Sequence, residues 1–409
     1  MTQPTIQFIP LRNAIASDAS TTLDLIVRII PPQPETNLKR PNLNLGLVID
    51  RSGSMQGQKI EYAKKAASYA VQQLLPTDRV SITTYDDRIE VLVPSTVVED
   101  KASILRKIQT IQPGGSTALH AGWVEGATQV SQHLQPNSLN RTILLSDGLA
   151  NVGQTNPDLI ASDVRGLVQH GVSTTTMGIG DDYNEDLMTA MANSGDGNYY
   201  YIQSPEQLPN IFASELQGIM ATLGSKVSLG IEPLAGVSVV DVYNNLEKTT
   251  YDRYKLPNLI FGNKIDFVLR LKVPPMAQEN PLCQFRLAWD VPNQSGRQKM
   301  RETLQLPVVS SAQLSEFPIN NEVTQLIAQL MSARAKEEII SNLDTGNYAA
   351  AKASLATARQ QVASAPPSAD MKEELASLDQ LESQLDAKDY KKMRKQAAFE
   401  SYQRHRSRS

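Results

Sequence analysis

Apolar and polar positions along this 409-residue chain change rhythm several times. Between Thr22 and Ile30 they alternate, with Leu23, Leu25, Val27 and Ile29 on one face and Thr22, Asp24 and Arg28 on the other. That is the period of a half-buried antiparallel strand. Pro31-Pro32 stops the run, and the polar, proline-rich stretch to Pro41 reads as a linker. From Leu43 the pattern becomes near-continuous apolar strands separated by amphipathic helices. Strands are predicted at 43–49, 79–85, 88–98, 142–145, 172–179 and 198–202, and helices at 59–75, 101–108, 118–134, 157–170, 184–193 and 206–223. Alternation of this kind argues for a mainly parallel sheet covered on both faces.

After Gly224 the helical period vanishes. Short alternating runs at 227–231, 237–242, 265–273, 283–291 and 303–309 predict a β-sandwich. A lone strand cannot bury its apolar face, so the N-terminal strand is expected to join that sandwich. From Asn320 onward the chain is rich in Ala, Leu, Glu, Lys and Gln, with breaks near Asp344-Thr345-Gly346 and Ala365-Pro366-Pro367, which fits three or four helices. The fold class expected is therefore α/β: a doubly wound, mainly parallel, Rossmann-like sheet over 43–223, inserted in a β-sandwich made of 1–42 and 224–312. A helical C-terminal domain over 313–409 follows.

Composition narrows the function. The formal net charge of −4 leaves no global field to draw the protein toward nucleic acid or anionic membrane. The single cysteine, Cys283, has no partner in the chain for a disulfide and lies in an apolar run, which favours a reducing compartment and hence the cytoplasm. The N-terminal residues lack the basic cluster and apolar stretch of a signal peptide. No segment approaches the roughly 18 apolar residues of a membrane span, so a soluble protein is expected.

The chemistry concentrates just past the carboxyl end of the first buried strand, where open α/β sheets bind ligands. There Asp50, Ser52 and Ser54 form a D-x-S-x-S pattern of hard oxygen donors, with Gly53 letting the backbone bend. Such donors suit Mg²⁺, Mn²⁺ or Ca²⁺ and suit zinc or copper poorly. One loop leaves an octahedral ion under-filled. Two further strand-end loops supply Thr117, in Pro113-Gly114-Gly115-Ser116-Thr117, and Asp147, in Leu144-Leu145-Ser146-Asp147-Gly148.

This set resembles the metal-ion-dependent adhesion site (MIDAS) of von Willebrand factor type A (vWA) domains, whose usual positions are all present as Asp50, Ser52, Ser54, Thr117 and Asp147. The segments 177–188 and 197–202 also look like later strands of bacterial vWA proteins. The flanking regions resemble cyanobacterial and other bacterial proteins labelled calcium-activated chloride channel homologues, a kinship from which no channel is inferred. By that resemblance Ser52, Ser54 and Thr117 would coordinate directly, with Asp50 and Asp147 acting largely through water. Mg²⁺ favours six oxygens, so one position would stay open for an aspartate or glutamate of a partner. Carboxylates held behind water leave the ion more positive toward that anion. The resemblance implies a non-enzymatic interaction scaffold, working with a MoxR-type ATPase or its substrate or as an adhesion or signalling module.

Two other readings fit the residues less well. A phosphotransferase using Asp50 as nucleophile would place a second acid two residues on, and Ser52 stands there instead. The basic C-terminal helix from Lys388, carrying Lys391, Lys392, Arg394, Lys395, Arg404, Arg406 and Arg408 against Glu400, offers a surface for nucleic acid or anionic lipid, though neither is the expected partner. Asn263-Lys264-Ile265-Asp266 mimics a base-reading motif without any phosphate loop, and is read as a turn entering a strand. His120, His133, His170 and His405 lack zinc spacing. Arg51 is read chiefly as a solvent-facing side chain.

Overall fold

The computed structural model describes residues 3–33, 41–134, 138–292 and 296–407. Most of the expected linker, 34–40, lies outside the described residues, as does Arg408. The chain divides into two compact units, one built from the described residues of Met1–Glu35, Leu223–Val291 and Gly296–Ser409, the other from those of Thr36–Thr222 and Pro292–Ser295.

The first unit opens with β1 (Thr5–Pro10), β2 (Ile15–Ala16) and β3 (Thr21–Ile30). The second unit then runs β4 (Asn42–Asp50), α1 (Gln58–Gln73), β5 (Arg79–Tyr85), β6 (Ile89–Val97), α2 (Lys101–Gln109), α3 (Leu119–Ser131), β7 (Ser138–Ser146), α4 (Pro157–Gln169), β8 (Val172–Ile179), α5 (Glu185–Ser194), β9 (Tyr199–Ile202) and α6 (Leu208–Met220). Its sheet has the order β6-β5-β4-β7-β8-β9. Only the edge pair β5–β6 is antiparallel. β4 is central and buried along nearly its whole length. One face packs under α1, α2 and α6 through Leu45, Leu47, Ile49, Ile60, Ile104 and Phe212. On the other face α3 comes close because its contact residues are small: a β-carbon on Gly126 would lie 2.1 Å from Val48 Cγ2.

The first unit resumes with β10 (Thr222–Pro233), β11 (Ser238–Val242), β12 (Tyr254–Lys255), β13 (Leu259–Ile260), β14 (Ile265–Val273), β15 (Cys283–Asp290), β16 (Arg297–Leu304) and β17 (Val308–Val309). It closes with helices α7 (Asn321–Asp344), α8 (Tyr348–Ser364), α9 (Ala369–Asp386) and α10 (Tyr390–His405). Two antiparallel sheets, β1-β3-β14-β11 and β12-β10-β15-β16, share a core of Leu25, Val27, Phe267, Leu269, Phe285, Leu287 and the buried Cys283. β3 lies between β1 and β14.

Three local expectations need correction. β3 is not half-buried: its second face lies under α7, where Ile26 and Val268 pack on Val323 and Leu330. The charges on that face are paired, Asp24 with Arg270 and Arg28 with Asp266. The helix read to residue 223 ends at Met220, and Thr222 and Leu223 already belong to β10. Gly224 is a packing glycine inside that strand, since a β-carbon there would sit 2.5 Å from the Trp289 ring. Finally, the strand read at 303–309 is the end of β16, an edge strand too polar to show an apolar period, plus the two-residue β17.

Candidate metal centre

Parallel pairing of β4 with β5 and β7 sets Asp50 opposite Tyr85 and beside the end of β7, where Ser146 and Asp147 follow Leu145. The loops after β4 and β7 therefore start at one edge of the sheet, whereas Thr117, expected on a third strand-end loop, lies on the α2–α3 loop, which backbone hydrogen bonds stitch to the β4 loop. Arg51 N donates to Tyr85 O (2.8 Å), Gly114 N to Arg51 O (2.7 Å) and Gly53 N to Gly115 O (3.1 Å). Gly115 makes the tight approach possible: its φ is +70°, and a β-carbon there would collide with Asp87 Oδ1 at 2.2 Å.

The five oxygen-bearing side chains singled out in the sequence meet here. Asp50 is fully buried, and its Oδ1 accepts from Ser52 N at 2.8 Å. Its Oδ2 accepts from Ser146 Oγ at 2.6 Å and, at 3.4 Å, from Tyr85 OH. Burial, only partly offset by the bonds from Ser146 and Ser52 and reinforced by the charge of Asp147, pushes the Asp50 carboxyl up to about 6. The Ser52 and Ser54 hydroxyls are 3.1 Å apart, and Ser54 Oγ donates to Asp147 Oδ1 at 2.7 Å. Asp147 is fully buried, and its Oδ2 takes Lys59 Nζ at 2.5 Å. Thr117 is held by its backbone: its N donates to Asn151 Oδ1 (2.9 Å), and its O accepts from Asn151 N (3.2 Å) and Val152 N (3.3 Å). Its hydroxyl makes no hydrogen bond among the described residues. A β-carbon on Gly148 would lie 3.3 Å from Thr117 Oγ1 and 3.6 Å from Ser54 Oγ, so both hydroxyls line the space beside residue 148.

The donor set fits a hard divalent cation. Three hydroxyls and two carboxylates converge, one of the hydroxyls unengaged, and the carboxylates are held by donors that fix their orientation. Among the described residues no group of three or more His, Cys, Asp or Glu is placed to hold a metal. His120 instead pairs with Asp163.

Sequence reasoning missed Ser146, Tyr85 and Lys59. Ser146 was visible as the residue before Asp147, but its role depends on the β4–β7 register. Arg51 is not a free solvent-facing side chain. It pairs with Asp86 at 3.2 Å and Glu90 at 2.6 Å. The basic C-terminal helix is likewise engaged: Arg394 pairs with Asp344, Arg404 with Glu374, and Lys395 is buried.

Comparison with known proteins gives the same fold. The family model of the von Willebrand factor type A domain matches residues 44–214. The uncharacterised Escherichia coli K12 protein YfbK is 31% identical over 194 residues, covering 47% of this chain and 34% of that protein. The uncharacterised Synechocystis protein sll0103 is 30% identical over 221 residues, covering 52% of this chain and 51% of that protein. The chain thus spans about a third to a half of the length of these curated relatives. A von Willebrand factor type A structure from Catenulispora acidiphila superposes with a TM-score of 0.71 at 17% identity, over 93% of this chain and 90% of that one. Residues 44–214 are a vWA domain.

Proposed function

We propose that this vWA domain holds one divalent cation, Mg²⁺, Mn²⁺ or Ca²⁺, and through it captures an aspartate or glutamate of a protein partner. Ser52, Ser54 and Thr117 supply neutral oxygens, while Asp50 and Asp147 bind through water. The observation that carries this reading is the convergence of two strand-end loops, after β4 and β7, and the α2–α3 loop on one unengaged hydroxyl and two buried, oriented carboxylates. The bound ion would supply Lewis acidity toward an incoming carboxylate. The chain's own residues keep the loops fixed, with Ser146 and Tyr85 orienting Asp50 and Asn151 orienting Thr117.

The reading is non-enzymatic, since Ser52 stands where a phosphotransferase needs its acid. A reducing, cytoplasmic setting suits the single buried cysteine, and a MoxR-type ATPase is the partner class brought by the family resemblance. No helix among the described residues is long and apolar enough to cross a membrane. Calorimetric titration of chelator-treated protein with Mg²⁺, Mn²⁺ and Ca²⁺ tests the site. Saturable binding is expected in the wild type and lost in Asp50→Ala. Identical partner recovery by wild type and Asp50→Ala in a pull-down would rule out carboxylate capture.

A further inference from the structure

We propose that Lys59 is a tethered counter-ion: by pairing with Asp147 it weakens the site's own hold on a divalent ion and so makes retention of the ion depend on the partner's carboxylate. The inference rests on the metal-site reading above. Lys59 is the second residue of α1, which opens at Gln58. A cation in the first turn faces the positive end of the helix dipole, so the helix does not favour it. The compensating charge is Asp147, whose Oδ2 lies 2.5 Å from Lys59 Nζ while its Oδ1 accepts from Ser54. Asp147 is out of solvent, whereas the Lys59 side chain keeps 28% of its exposure. Lys59 Nζ also lies against Gly180, 3.8 Å from where a β-carbon would stand. The ammonium is therefore lodged between two strand-end loops, one of which carries a metal-site carboxylate.

A buried carboxylate without a partner is costly, so Lys59 stabilises the metal-free loops. A divalent ion held by Ser52, Ser54 and Thr117 would be repelled by that ammonium, which is bonded to the same Asp147 carboxylate that accepts from Ser54. Repulsion of this kind is worth on the order of tenfold or more in an equilibrium constant. A partner carboxylate that ligated the ion would bring negative charge toward both cations and offset part of that repulsion. Metal and acidic partner then bind with reciprocal coupling, each strengthening the other by the same factor. The site would hold its ion weakly alone and firmly in the complex.

The test uses the full chain, stripped with chelator and titrated with Mg²⁺ and with Mn²⁺, in the presence and absence of a short peptide bearing one glutamate. Lys59→Met removes the charge and keeps most of the stem, Lys59→Gln is a second neutral variant, and Lys59→Arg keeps the charge. Without peptide, Lys59→Met and Lys59→Gln are expected to bind metal on the order of tenfold more tightly than wild type, with Lys59→Arg close to wild type. The gain in metal affinity conferred by the peptide shrinks in both neutral variants. In chelator the neutral variants melt below wild type, and metal raises their melting temperature by more. Neutral variants that bind metal no more tightly than wild type overturn the inference and leave the site reading intact. A wild type that takes up no metal, with or without peptide, overturns both.

Discussion

Two regions of this molecule bury charge, and they balance it differently. Between α7, α9 and α10, Lys336 lies 2.6 Å from Glu374 and 2.7 Å from Glu400, and Arg404 reaches Glu374 at 3.1 Å. Ser332 and Ser377 add hydrogen bonds to the same carboxylates. Two cations meet two anions, and nothing is left to bind. At the strand ends of the α/β unit, Asp50 and Asp147 are equally buried, but only Asp147 pairs with a cation, Lys59, among the described residues, while hydroxyls and the Ser52 N–H supply the other contacts. The helical cluster is complete as a structural joint. The strand-end cluster carries an oxygen surplus that a joint does not need, and this separates a site from a brace.

The largest expected effect lies in the joint. Lys336→Met would leave the buried Glu374 and the half-buried Glu400 beside too little positive charge and cost roughly 3–5 kcal/mol of unfolding free energy. Urea unfolding measures it, and added Mg²⁺ should restore none of it. A loss under about 1 kcal/mol would erase the contrast between the two regions.

Next in size is an opposed pH dependence. The folded Asp50 carboxyl, pushed by burial up to about 6, favours the folded state at low pH and loses that contribution as pH rises from its ordinary 3.8 through about 6. Metal-free protein should weaken over that window by on the order of 3 kcal/mol. Asp50→Asn should show no such weakening and melt above wild type in chelator at pH 7. In Glu374 burial alone would raise the carboxyl, yet Lys336, Ser332 and Arg404 hold it below its usual 4.5. Its contribution is therefore full above that value and is lost as pH falls below it. A melting profile in chelator with both arms separates the two groups, and one in which Asp50→Asn matches wild type at every pH refutes the first.

The smallest effect on stability sharpens the comparison from the other side. Thr117 Oγ1 makes no hydrogen bond among the described residues, so Thr117→Ala should shift stability by less than about 1 kcal/mol. Metal affinity should nonetheless fall by on the order of tenfold or more. Equal metal affinity in both proteins would show that this hydroxyl is not a ligand.

Apolar rhythm was enough to place the doubly wound sheet, because its buried strands and amphipathic helices impose strong periods on the sequence. Four of the five oxygen donors were legible for a related reason: the loops that carry Asp50, Ser52, Ser54 and Asp147 begin where those strands stop, while Thr117 comes from the α2–α3 loop and was legible only by its motif. What escaped depended on register or on tertiary charge. Ser146 reaches Asp50 only because β7 lies beside β4 in parallel register, and Lys59 looks like any helical lysine until Asp147 is set against its end of α1. The polar β16 and the two-residue β2, β12, β13 and β17 carry too little pattern to be found. Arg51 and the basic side chains of α10 read as solvated because their acidic partners, Asp86, Glu90, Asp344 and Glu374, lie elsewhere in the sequence.

Threading the α/β unit between β3 and β14 has a cost in time. Arg28 and Asp266, bonded across those adjacent strands, are 238 positions apart in the chain. Closing so long a loop is only modestly worse for equilibrium stability, since the entropy grows with the logarithm of length. During synthesis at roughly 5–20 residues per second, however, β3 waits on the order of ten seconds or more for its neighbour to be made. Throughout that wait a strand destined to be covered on both faces has only β1 beside it and no helix over it. The α/β unit, whose own strands come from one continuous stretch, can close first and shorten the span that remains. Sandwich assembly is therefore set to be the slow, aggregation-exposed stage of this protein's biogenesis.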